Sequence, residues 1–140
     1  MKRRASTLAL FVALAPGCSV NSLLNQMDAE SEKSIDLICD CTNVFPDRAA
    51  CEAQFGSFLS PFDRECLEDA LAVDKKASKK SLECFVDQHR EYNDCLEDML
   101  VCDEADSWEG CQPLLRPDAC PRLPADVEAA LKPCGTNDDD

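Results

Sequence analysis

Eleven cysteines in 140 residues constrain this chain more than any other feature it has. An odd number cannot pair completely within one molecule, so at least one sulfur needs a different chemistry. Cysteine this dense reads as a disulfide scaffold, which persists in an oxidising compartment. The competing use of clustered thiols, structural zinc, wants paired Cys-x₂₋₄-Cys knuckles. The nearest approach is Cys39-Asp40-Cys41, with one residue between and no second knuckle, in a chain with one histidine. A thioredoxin-type Cys-x-x-Cys is absent too. The sequence therefore indicates no metal site, no redox enzyme and no cofactor.

The N-terminus says where such a compartment would be reached. Lys2-Arg3-Arg4 precede an apolar run from Ala5 to Ala15, softened by Ser6 and Thr7. A helix of that length covers about 16 Å, roughly half of the ~30 Å hydrocarbon core of a bilayer. A basic start, a short apolar stretch and small residues at its end have the form of a secretory signal peptide instead. The run closes on Leu14-Ala15-Pro16-Gly17-Cys18, which resembles the lipobox of bacterial lipoproteins. That resemblance is confined to the first stretch of the chain. It implies cleavage before Cys18, a thioether from the Cys18 thiol to diacylglycerol, and acylation of the new amine. Cys18 would then be the first residue of the mature protein and the membrane its partner. By the family's sorting convention, Ser19 after the lipidated cysteine directs the product to the outer membrane. One acyl chain holds a protein only marginally, at ~0.8 kcal/mol per buried CH₂, whereas two or three hold it durably.

Lipidation also repairs the parity. With Cys18 on a lipid, ten disulfide candidates remain: Cys39, Cys41, Cys51, Cys66, Cys84, Cys95, Cys102, Cys111, Cys120 and Cys134. Their connectivity stays open, because ten cysteines allow on the order of 900 pairings. The alternative at the N-terminus is ordinary cleavage that leaves Cys18 a plain thiol.

Residues 1–17 carry Lys2, Arg3 and Arg4 and no acid, so without them eleven basic side chains face 28 acidic ones, a formal charge of −17. So acidic a body is repelled by nucleic acid and by anionic lipid surfaces alike. A protein partner in the cell envelope, cations or plain solubility fit that charge. Aromatics make up only 6% of the chain, so a core of Leu, Val, Ile, Ala and Cys depends on its cross-links, each worth ~2–4 kcal/mol.

The patterning is helical. Residues 19–28 read as a polar tether, and from Ala29 Ile35, Ile38 and Cys39 share one helix face. A second helix starts at Pro46-Asp47, with Ala50, Cys51 and Phe55 inward and Gly56 at its end. Ser60-Pro61-Phe62-Asp63 reads as the start of a third, with Ser60 the cap and Asp63 the capping-box acid. Cys66, Leu67, Ala70 and Leu71 make its buried face. The longest helix spans Lys75 to Val101, with a seam of Leu82, Phe85, His89, Tyr92, Leu96 and Met99. Cys84, Cys95 and Cys102 form a second stripe on it. Pro113, Pro117, Pro121 and Pro124 preclude a long helix before a short one from Ala125. The echo of Cys66-Leu67-Glu68-Asp69-Ala70-Leu71 in Cys95-Leu96-Glu97-Asp98-Met99-Leu100 fits equally a duplicated hairpin, with the earlier Cys51 and Cys84 as partners, and a chance match between two amphipathic helices.

The fold expected is all-α, a small disulfide-rich bundle of about four to six helices with a Pro-rich irregular C-terminal segment. Its division is a signal peptide over 1–17, a lipidated N-terminus and tether over 18–28, a cysteine-rich helical domain over 29–134 and an acidic tail over 135–140. No Gly-x-Ser-x-Gly elbow or phosphate-binding glycine loop occurs. The function expected is a non-catalytic binding or structural module on the bacterial envelope. Two alternatives from other classes remain: a small exported hydrolase using His89, and a cation-binding acidic surface at Asp98, Asp103, Glu104 and Asp106 or the terminal aspartates.

Overall fold

A computed structural model of the chain describes residues 18–41, 45–56, 62–104 and 107–135. The signal-peptide segment, Ser60, Pro61 and residues 136–140 lie outside the described residues. Among the described residues five α-helices follow in order: α1 Val20–Cys39, α2 Arg48–Phe55, α3 Arg64–Ala72, α4 Lys75–Met99 and α5 Ala125–Leu131. Short 3₁₀ stretches at Ser107–Leu114, Pro117–Ala119 and Lys132–Cys134 carry the proline-rich C-terminal part. Among the described residues the only β-pairing is an isolated bridge between Phe62 and Gly135. The protein is thus the all-α, disulfide-rich bundle its patterning implies.

The first helix corrects the expected tether. Helix α1 begins at Val20, not near Ala29, because the Ser19 side chain caps it by accepting from Ser22 N at 3.1 Å. Leu23, Leu24 and Met27 are buried in the core rather than strung between lipid and domain. The buried line continues through Ser31, Ser34 and Ile38. Two serines interrupt its apolar character, and so the stripe is invisible to a hydrophobic pattern.

Helices α1 and α4 form the spine, and they run parallel. Arg90 reaches Gln26 and Glu30, Asn93 reaches Glu30 and Ser34, and Lys33 meets Glu97. Each step up α1 is therefore matched by a step up α4. Two apolar clusters lie along this pair. One joins Leu23, Leu24 and Met27 to Leu67, Leu71, Leu82, Val86 and Val127. The other gathers Ile38, Tyr92 and Leu96 around Cys39, Cys51 and Cys111. Edge-to-face contacts of Phe45 with Phe55 (5.6 Å between centroids) and of Phe55 with Trp108 (5.4 Å) cover the second cluster.

A buried polar layer separates the clusters. Asn93 is fully buried and donates through Nδ2 to the Glu30 carbonyl at 3.0 Å and to Glu30 Oε2 at 2.9 Å. Its Oδ1 accepts from Ser34 Oγ at 2.6 Å. A one-residue slip would strand these groups without partners, so the layer specifies the register of the spine. It also displaces the expected seam: Val86 and Asn93 are buried, Phe85 and His89 only half so, and Met99 is 60% exposed.

The ten disulfide candidates all pair. The bonds are Cys39–Cys51, Cys41–Cys102, Cys66–Cys134, Cys84–Cys120 and Cys95–Cys111, with Cα separations of 4.7 to 5.8 Å, within the usual range. The hairpins suggested by the Cys-Leu-Glu-Asp echo do not form, since Cys51, Cys66, Cys84 and Cys95 all pair elsewhere. The cysteine stripe on α4 divides instead. Cys84 and Cys95 hold the C-terminal segment, while Cys102 lies beyond the end of α4 and binds Cys41 just past α1. Local capping differs in one place as well: Asp63 is itself the N-cap of α3, accepting from Cys66 N at 2.8 Å.

Two measurements check this frame. Asn93→Ala should lower the unfolding free energy in a urea titration by roughly 2–4 kcal/mol, since it opens a cavity and orphans buried groups; a loss under about 0.5 kcal/mol would contradict the buried layer. Replacing Cys66 and Cys134 together by Ser removes a link across 68 residues and should cost ~4 kcal/mol by loop-closure entropy, read from the same titration.

Candidate functional site

Cys18 is the only free cysteine among the described residues, and it is exposed. Its position follows from the elements around it. The residue after it, Ser19, is the N-cap of α1, so no flexible segment separates the sulfur from the folded domain. Arg64 at the start of α3 fastens the first turns of α1. Its guanidinium donates to Asn21 Oδ1 at 2.9 Å and Asn25 Oδ1 at 2.6 Å. It also donates to Asp28 Oδ2 at 2.9 Å and to Glu68 Oε1 at 2.8 Å. Five donors in a rigid fork suit this fourfold role. Sequence patterning does not single out Arg64, because a lone arginine at a helix start reads as a solvated charge.

A shallow pocket of about 400 Å³ opens beside Cys18. The Cys18–Asn21 segment forms one wall, Glu68, Asp69 and Ala72 of α3 another, and Lys75 and Lys79 of α4 the third. Antiparallel α3 runs down past the start of α1 to reach this point, and the turn at Val73-Asp74 sends the chain back up α4. The pocket is open and mixed in charge.

His89 borders a second pocket, of about 200 Å³, with Ser31, Ser34, Ile38, Phe55 and Tyr92 among its walls. Its Nδ1 lies 3.0 Å from the Phe85 carbonyl oxygen. A carbonyl only accepts, so Nδ1 carries the proton and donates. The Ser34 hydroxyl is directed to Asn93 Oδ1 and the Glu30 carbonyl, so its proton serves the helix seam and not a relay to His89. The arrangement a nucleophilic hydrolase requires, a hydroxyl or thiol hydrogen-bonded to an oriented base, is not built from Ser34. No group of three or more His, Cys, Asp or Glu side chains suited to a metal ion occurs among the described residues. Asp106 and the terminal aspartates lie outside the described residues.

No protein-family model, no curated protein and no solved structure matches the chain. No helix among the described residues is long and apolar enough to cross a membrane.

Tyr92 provides a probe of the His89 pocket. Burial pushes its phenol above the usual value by penalising the phenolate. The sign is that of a raised acid: the folded state favours the neutral phenol. The stability this contributes is complete below the unfolded phenol's ~10 and is lost as pH rises through the higher folded value. Tyr92→Phe should therefore flatten the alkaline limb of a stability–pH profile above about pH 10 and leave the neutral region nearly unchanged. Equal alkaline slopes in the two proteins would show that the ring is not desolvated.

Proposed function

We propose that this protein is a bacterial envelope lipoprotein: a non-catalytic binding or structural module held on the outer membrane by acyl chains on Cys18. The observation that carries the reading is the exposed, unpaired sulfur of Cys18 at the entrance to α1, in a domain whose other ten cysteines are all in disulfides. Its support in the sequence is the lipobox-like Leu14-Ala15-Pro16-Gly17-Cys18 behind a basic, apolar leader. The two features are independent, one a matter of sulfur pairing and the other of export. They converge on the same atom.

The reading also fits the compartment. Five disulfides that close loops as long as 61 and 68 residues belong to a chain folded in oxidising surroundings. Within it, Cys18 supplies the attachment and Ser19 begins the rigid part at once. The module would present its far end, including exposed Met99 and Val101, to other envelope components.

The test is an intact mass of protein extracted from membranes, before and after reduction and alkylation. The expected product starts at Cys18, carries acyl mass on that residue and exposes ten new thiols only after reduction. Cys18→Ser should move the protein from the membrane to the soluble fraction without changing its melting temperature. A wild-type chain that is unacylated and water-soluble would overturn the proposal.

A further inference from the structure

The net charge of the mature chain conceals a strong segregation. Four of its eleven basic side chains, Lys75, Lys76, Lys79 and Lys80, fall in the first six residues of α4. At 100° per residue they occupy an arc of about 140°, turned away from the buried Ser78, Ser81 and Leu82. Among the described residues none of the four enters an ion pair; the salt bridges belong to Lys33, Arg48, Arg64 and Arg90. Helix stability does not ask for them either. A helix N-terminus favours acids and its C-terminus favours bases. Yet α4 starts on lysines and ends on Asp94, Glu97 and Asp98, with no base in its last turn.

Their place in the fold supplies a reason. The register of the spine, Gln26 with Arg90 and Lys33 with Glu97, sets Val20 level with about residue 84, so α4 projects beyond the start of α1 by roughly 13 Å. The projecting part is the tip of the α3–α4 turn, and Lys75 and Lys79 share the pocket of Cys18. Val73, at the apex, is 53% exposed. The nearby acids are Glu68, Asp69, Asp74 and Glu83. Asp74 keeps its charge while it caps α4, accepting from Ala77 N at 3.0 Å, and Glu68 shares Arg64 with Asp28. Among the described residues none of these acids forms an ion pair with a lysine of the tip, so the four ammonium groups stay open to an external anion.

We infer that the Val73–Lys80 tip is a second membrane contact, in which the four lysines bind the phosphates of anionic phospholipids beside the Cys18 anchor and the acidic end of α4 is held away from the surface. The inference rests on the Cys18 reading for its orientation. Juxtamembrane lysines near an anionic surface each strengthen attachment, and the effect is screened by salt. Such a contact would give the domain a fixed stance, because anchor and tip are two points of one rigid body.

The experiment reconstitutes the membrane-extracted protein into vesicles of phosphatidylcholine with or without phosphatidylglycerol. Each lysine's reaction with a water-soluble acetylating reagent is then measured by mass spectrometry. Lys33, higher on α1, is the internal reference. Lys75, Lys76, Lys79 and Lys80 should react roughly fivefold more slowly, relative to Lys33, on the anionic vesicles. High salt should remove the difference, and Lys76→Glu with Lys80→Glu should return Lys75 and Lys79 to their rate on phosphatidylcholine. Equal rates on both vesicles would overturn the inference. If the extracted protein carries no acyl mass, the Cys18 proposal fails by itself. The thiol is then coupled to a maleimide-headgroup lipid, and the lysine rates decide the tip contact on the same terms.

Discussion

The parallel seam between α1 and α4, pinned by Asn93, is the constraint on which the rest of the structure depends. Parallel neighbours cannot be joined by a short turn, so the chain must travel from the end of α1 back to the start of α4. Helices α2 and α3 and their connections make that return, and each is fastened where it passes. Cys39–Cys51 and the Arg48 contacts with Asp36 and Asp40 hold α2 to the far end of α1. Arg64 holds α3 to the near end. Cys41–Cys102 then ties the two far ends of the spine together. A low-aromatic chain reaches a definite structure here by combining modest apolar clusters with a register-setting polar layer and covalent closure.

The same arrangement positions the end that carries Cys18. Because α1 and α4 point the same way, both N-termini lie on one side, and the longer α4 overshoots. Cys18 shares a pocket with Lys75 and Lys79 for that topological reason, though more than fifty residues separate them in sequence. An antiparallel pair would have placed the lysines at the opposite end, beside Asp36 and Asp40. The link from register to charge placement is therefore direct: altering the first alters the second.

Much of this was legible in the sequence. Apolar spacing locates α2, α3, α4 and α5 to within a few residues, and the proline run correctly forbids a long helix between α4 and α5. The odd number of cysteines leaves one sulfur over, and the Leu14-Ala15-Pro16-Gly17-Cys18 pattern points to Cys18 as that one. What escaped detection has a common physical cause: polar residues serving buried or structural roles. Ser31 and Ser34 hide the core face of α1, so its first nine residues read as a tether. Asn93 reads as surface in a pattern that scores only hydrophobicity. Cystine connectivity is a tertiary property, and the repeated Cys-Leu-Glu-Asp suggests hairpins that the actual packing does not make. The lysine cluster is plain in the sequence, but its meaning requires knowing which end of the molecule it occupies.

The most direct test of this account is a map of disulfide-linked peptides from the unreduced protein. The account predicts five linked pairs, with Cys41 joined to Cys102 and Cys66 to Cys134, and residue 18 in none of them. Finding Cys18 within a cystine, or Cys84 joined to Cys95, would contradict the sulfur pairing that leaves residue 18 free and the packing built on it.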